Sequence, residues 1–295
     1  MSAAGALLRR VNRTVRPLGL EVRRVRRDLD SCLAGPRAVR AMLRDTAEVI
    51  GDFLARACLL PCSPPGDLEA ALAAFYAAYQ DSPARAVTGG ARLNKLLWLF
   101  ALARATAPEV VVESGTFRGT SAWAMAQGAP EAVIHTFDIE DAGIAARAPS
   151  VRYHRGDWAD ADLGPLQAER TIAFFDDHVD QARRVLEARA RGLRWLLFDD
   201  DLDVRAFPRH CADAGPLPKI AMVLDRSLAD GEVLEWRFAG RPCRYVVDGA
   251  YHARARAAIA ATQKLPDLSL VTGLEHEEPL TIVALRPAEG TTVSE

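Results

Sequence analysis

The sequence predicts an α/β fold, a doubly wound parallel sheet, and three observations lead to it. From residue 110 onward, short β-branched or apolar runs alternate with segments of helical length. A glycine-containing turn separates the first run from the helix after it. Acidic residues close several of the runs. In such a sheet ligands bind beyond the carboxyl ends of the strands, so a glycine turn and acids at those ends mark a binding edge.

The elements follow in order. Leu8, Val11, Val15, Leu18, Val22, Val25 and Leu29 recur at spacings of three and four, but Pro17 and Gly19 interrupt a continuous helix. Two short basic amphipathic segments are expected, because residues 1–30 set eight arginines against Glu21, Asp28 and Asp30. Such an arm suits contact with an anionic membrane surface, or packing on its own domain or a partner. Residues 36–58 and 67–80 have helical spacing, with Leu68, Leu72, Phe75, Tyr76 and Tyr79 on one side of the second. Pro61, Pro64, Pro65 and Gly66 break the two apart, and Asp67 is placed as an N-cap. A helix over 91–105 leads into a strand at 110–112 and a helix at 120–127 that stops at Gly128 and Pro130. Strands are expected at 132–137, 151–154, 171–175 and 193–198, with a helix over 179–191 closed by Gly192. Two late strands, 244–247 and 281–285, flank an Ala-rich helix near 252–263. The division is therefore a basic arm and helical extension over 1–88, then a ligand-binding domain over 89–290.

Composition sets limits. Of 295 residues, 49% are hydrophobic and 26% charged, the balance of a folded globular chain. Apolar runs such as Val110–Val112 fall far short of the ~18–20 residues of a membrane span. Leu7-Leu8 runs directly into Arg9-Arg10, which is no signal peptide, so a cytoplasmic protein is expected. A net charge of −2 argues against nucleic acid as the partner. Five irregularly spaced cysteines make no disulfide framework. Cys58 and Cys62 fall at i, i+4 with no second Cys/His pair for zinc, and read as buried small apolar residues.

The chemistry lies at the strand ends. The first strand runs into Glu113-Ser-Gly115-Thr116-Phe-Arg-Gly119-Thr120-Ser121. Its two glycines permit a tight turn and close approach of a ligand to a helix N-terminus. The middle glycine of a dinucleotide fingerprint is missing, which disfavours a nicotinamide cofactor, and Glu113 suits a ligand that bears an amino group. The second strand ends in Asp138, 23 residues after Gly115, where an acid accepts both hydroxyls of a ribose. The third leads to Gly156-Asp157-Trp158, an acid and a flat indole for an adenine to rest on. The fourth ends in Asp176-Asp177-His178 and the fifth in Asp199-Asp200-Asp201. Acids converging on one edge repel each other unless a cation or proton compensates, and oxygen-only ligands suit Mg²⁺ or Mn²⁺. Solvated, helix-capping acids are the alternative.

These residues resemble the class I S-adenosylmethionine-dependent methyltransferases, whose acid-x-Gly-x-x-x-Gly loop is matched by Glu113, Gly115 and Gly119. Asp138 and Asp157 match the acids after that family's second and third strands. The resemblance spans roughly residues 90–290. It implies a Rossmann-like, mostly parallel, seven-stranded sheet, with the cofactor's methionine end over the glycine loop and its ribose on Asp138. The layout also resembles divalent-metal O-methyltransferases of the catechol type and of the macrolide-sugar and cephalosporin-cluster type. That likeness implies Asp177, Asp199 and Asp200 as metal ligands. The catechol type carries a lysine base three residues after its first metal-binding Asp; here Asp180 stands there, and His178 is the replacement base. His135, His154, His210, His252 and His276 show no metal-ligand spacing.

The function this implies is methyl transfer to a hydroxyl of a sugar or small hydroxylated metabolite. A non-catalytic S-adenosylmethionine-binding or scaffold protein recruited through the basic arm is the other reading. Trp158, Trp236, Phe238, Tyr245 and Tyr251 are candidate walls of an acceptor pocket.

Overall fold

The computed structural model describes residues 35–63, 66–140, 143–206, 217–238, 241–274 and 280–287. The arm over 1–30, Cys32, Cys211, His210 and His276 lie outside them.

Eight helices and nine strands are described. The helices are α1 (Pro36–Arg56), α2 (Leu68–Asp81), α3 (Leu93–Thr106), α4 (Thr120–Gly128), α5 (Gln181–Ala190), α6 (Ile220–Leu224), α7 (Gly249–Ala258) and α8 (Ser269–Thr272). The strands are β1 (Val110–Ser114), β2 (Val133–Asp138), β3 (Val151–Arg155), β4 (Thr171–Phe175), β5 (Trp195–Phe198), β6 (Val233–Phe238), β7 (Arg241–Val246), β8 (Ile259–Lys264) and β9 (Thr281–Leu285). Seven of them form one sheet in the order β3-β2-β1-β4-β5-β9-β8. Strands β1 to β5 pair in parallel, whereas β9 runs antiparallel to both β5 and β8. The fold is a doubly wound, Rossmann-like, mostly parallel α/β sheet. β6 and β7 form a separate antiparallel hairpin.

The central strands are apolar on both faces because helices cover both. Along β4, Ile172 and Phe174 face one layer while Ala173 and Phe175 face the other. The first layer holds α1 to α4, with Leu72, Phe75, Leu96, Phe100 and Trp123 among its buried side chains. The second holds α5, α6 and α7, with Val185, Ile220 and Ala255. Asp67 caps α2 by accepting the Ala70 N–H at 2.9 Å, as its position predicts. α3 is buried on nearly every side, including Asn94 and Lys95. A helix enclosed all round belongs to the interior rather than to a surface layer, and that placement carries Lys95 toward the sheet edge described below.

The Ala-rich segment near 252–263 departs from expectation. The helix ends at Ala258, and residues 259–264 are strand β8, paired with β9. Alanine composition favours helix locally, but a ladder with β9 and burial of Ile259 override it. The late strand expected at 244–247 belongs to the β6–β7 hairpin instead of the main sheet. Among the described residues no helix is long and apolar enough to cross a membrane.

Candidate functional site

The loop after β1 is shaped by contacts that exclude side chains. Gly115 has φ +105°, and a Cβ there would lie 2.1 Å from the carbonyl oxygen of Asp176, just past the end of the neighbouring β4. Phe117 is also left-handed, at φ +44°, and 41% exposed. Gly119, at φ +83°, is the N-cap of α4, which begins with the buried Thr120 and Ser121.

A hydroxyl relay runs beneath this loop. The Thr136 hydroxyl donates to Glu113 Oε2, and Thr116 Oγ1 lies 2.6 Å from Thr136 Oγ1. Thr136 has one hydroxyl proton and gives it to the carboxylate, so Thr116 donates to Thr136. Glu113 is fully buried, and its Oε1 has no hydrogen-bond partner among the described residues. Burial pushes its carboxyl up to about 7, against the opposite pull of the Ser121 and Thr136 hydroxyls. Asp138 ties the loop to the end of β2: its Oδ2 accepts the Phe117 N–H at 2.7 Å, and its Oδ1 the Glu140 N–H at 3.0 Å. A carboxylate offers about four lone-pair sites, so these two bonds leave it able to accept more.

The third strand-end pair differs from expectation. Asp157 accepts from Arg184 at 2.8 Å, from Arg183 at 3.2 Å and from the Ala159 N–H at 3.1 Å. Burial opposes its charge, but those donors more than offset burial and hold its carboxyl below the usual range. Trp158 is fully buried, packed on Phe175 and lying under the Arg191 guanidinium. Its faces are taken up by protein, so no ring surface is open to an adenine.

The acids of β4 and β5 do converge, in a different combination. One carboxylate oxygen from each of Asp176, Asp199 and Asp200 lies within 4.8 Å of the others. Asp177, expected in that set, turns away: its Oδ2 takes the Arg184 Nε at 2.7 Å and its Oδ1 the Val179 N–H at 3.1 Å. Burial and the nearby Asp199 raise the Asp176 carboxyl well above the usual range. These groups, with His178, Val179, Gln181 and Lys219, line a small cleft. His178 is exposed on its rim, with left-handed backbone at φ +54°. Asp180, at the position of the family's lysine, accepts the Arg183 N–H as the N-cap of α5. Asp201 is buried and structural, accepting from Thr281 at 2.8 Å and the Ala221 N–H at 2.6 Å.

The aromatic residues expected as pocket walls are engaged within the protein. Tyr251 donates to Asp180 at 2.7 Å, Tyr245 Oη lies 2.8 Å from His252 Nε2, and Trp236 packs near Leu202 and Met222. The Phe238 side chain lies outside the described residues.

No family model and no curated protein matches the chain. Among solved structures it is similar to the O-methyltransferase from Bacillus cereus in complex with SAH, at 14% identity and a TM-score of 0.38, covering 81% of this chain and 99% of that one. It is similar to TomG, an O-methyltransferase from Streptomyces achromogenes involved in tomaymycin synthesis, in complex with SAM: 15% identity, TM-score 0.38, 81% and 98% covered. A third is the SAH-bound Podospora anserina methyltransferase PaMTH1, at 16% identity and TM-score 0.37, with 82% and 96% covered.

Two basic residues that sequence reasoning missed organise the acids. Lys95, from α3, places Nζ 2.6 Å from the Asp199 carboxylate and 3.5 Å from Asp200 Oδ1. Arg184, from α5, is buried and bridges Asp157, Asp177 and Glu187. A signal for Lys95 was present in composition. Only three of the 37 Lys and Arg residues are lysines. Lys95 meets Asp199, Lys219 lines the cleft, and Lys264 donates to the Asp201 carbonyl at 3.0 Å. All three stand at the acidic segment after β5.

Proposed function

We propose that the protein is an S-adenosylmethionine-dependent methyltransferase acting on a hydroxyl oxygen of a sugar or small hydroxylated metabolite. The observation that carries this reading is the clamp of the glycine loop onto the end of β2 by Asp138, beside an acidic cleft at the same strand edge. The cofactor would lie along Gly115, Thr116, Gly119, Thr120 and Ser121, with its ribose on the spare lone pairs of Asp138. The unpartnered, buried Oε1 of Glu113 fits a cationic ligand above it. Asp157 supports this edge through Arg184, and Trp158 does so from the core.

The acidic cleft also fits a divalent cation such as Mg²⁺ or Mn²⁺. Three carboxylates, Asp176, Asp199 and Asp200, gather at the cleft, Lys95 pairs with two of them and Lys219 also lines it, so the fully ionised set keeps one excess negative charge. Asp177 joins the set only by leaving Arg184. A bound cation would supply Lewis acidity, lowering the pKa of an acceptor hydroxyl and fixing its position. In methyl transfer the acceptor oxygen attacks the sulfonium methyl in line, the carbon–sulfur bond breaks, and the hydroxyl proton leaves. The chain's contribution is orientation: the glycine loop sets one reactant and the cleft the other. His178, on the cleft rim, takes the proton in this reading.

Calorimetry with S-adenosylmethionine tests the cofactor site. Asp138→Ala is expected to lose roughly 1–3 kcal/mol of affinity, the value of charge-assisted hydrogen bonds. Unchanged affinity removes the ribose assignment. With hydroxylated acceptors and Mg²⁺, S-adenosylhomocysteine should form, stop with EDTA and resume on metal addition. Binding without turnover on any acceptor supports the scaffold alternative, and full turnover in EDTA removes the cation.

A further inference from the structure

Cys58 and Cys62 lie beyond the end of α1, in the chain reversal that leads to α2, and neither is in a helix. Both are free and half-buried, and their sulfurs are 3.3 Å apart, with Cys62 Sγ donating to Cys58 Sγ. The reversal is pinned on both sides of the pair. Gln263 of β8 accepts the Leu59 N–H at 2.9 Å and donates to the Ala57 carbonyl at 2.6 Å. Ser63 N–H donates to the Ala105 carbonyl at 2.8 Å. Two thiols are thus held in contact by a frame that does not depend on them. Among the described residues no third cysteine, histidine or carboxylate joins them as a metal-ligand group. The pair expected as buried small apolar residues is instead a dithiol at a partly open turn.

We infer that Cys58 and Cys62 are a reversible modification site, closing to a disulfide by exchange with a low-molecular-weight disulfide of the glutathione type. The bond sits on an edge remote in sequence from the acidic cleft and is independent of the methyltransferase reading. The direction of the exchange follows from the contact. The hydrogen bond from Cys62 lowers the pKa of the Cys58 thiol, and the same contact with burial raises that of Cys62. The Cys58 thiolate attacks the external disulfide, forming a mixed disulfide and releasing one external thiolate, which takes up the proton lost by Cys58. Cys62 then loses its proton and attacks the Cys58 sulfur, and the second external thiolate leaves with that proton. Two protein thiols are oxidised and one external disulfide is reduced to two thiols. The small motion required, from van der Waals contact to a bond of about 2.05 Å, lies in a segment without helical restraint.

The test uses the full chain, folded, with oxidised glutathione, followed by acid quenching and tryptic mass spectrometry. Cleavage after Arg56 and Arg85 gives a peptide holding Cys58 and Cys62 and no other cysteine. The expected product is that peptide lighter by two hydrogen atoms, restored to its reduced mass by dithiothreitol. Cys62→Ser should stop at one glutathione on Cys58. A wild-type peptide that stays reduced, keeps glutathione without closing, or cross-links to Cys32, Cys211 or Cys243 overturns the proposal. An unmodified Cys58 in Cys62→Ser overturns it as well.

Discussion

Replacing Lys95 with methionine is expected to destabilise the fold by about 3–5 kcal/mol, the cost of leaving a buried charge without its partner. The ammonium is 2.6 Å from a carboxylate that is only 4% exposed, and methionine keeps the apolar stem while removing the charge. The loss belongs to stranded Asp199 more than to the broken pair. A second change, Asp199→Asn, made in the Lys95→Met background, should therefore recover most of it. Urea unfolding of the wild type, the single variant and the double variant at pH 8 gives all three numbers. A single variant within about 0.5 kcal/mol of wild type would show that the pair carries no weight.

Glu113→Gln is expected to do the opposite to the ligand-free protein. Burial raises the Glu113 carboxyl to about 7 in the fold, above the ordinary value of 4.5. The folded state then binds more protons than the unfolded state between those values. Stability is lost as pH rises through that window and stays low above it. The shift corresponds to about 3 kcal/mol at 1.36 kcal/mol per unit. Relative to wild type, Glu113→Gln should gain about that much between pH 4.5 and pH 8. Unfolding midpoints at several pH values check it, and a difference flat with pH would mean that Glu113 ionises freely. Binding of a cationic cofactor should reverse the order, because only the carboxylate offers charge to it.

The sheet was legible because its central strands are short apolar runs closed by acids, and burial on both faces leaves no other use for them. Residues 171–175 are found as expected. The Ala-rich stretch at 252–263 was not legible, since β8 exists only through pairing with β9 from 17 residues further on. At the candidate site, strand ends located Glu113, Asp138 and the acids after β4 and β5. Which of two adjacent aspartates joins Asp199 and Asp200 depends on where Arg184 projects from α5, a matter of side-chain reach that strand spacing does not encode. Trp158 failed for a related reason: a residue after a strand end looks outward in sequence, but the short helical turn at 158–160 folds this one beneath Phe175.

The position of β9 bears on the order in which the protein is made. Synthesis delivers β1 to β5 first, and these can pair as they emerge. The sheet at that stage ends on β5, an apolar strand buried on both faces in the finished molecule, with its ladder groups open. Of the sheet's strands β8 comes out next, after the β6–β7 hairpin, and has nowhere to go, because among the described residues its one partner in the sheet is β9. The strand that satisfies both is residues 281–285, which slot between them. A ribosome stalled before that point holds a nascent chain with one sticky edge and one orphan strand. Five late residues release it from that state.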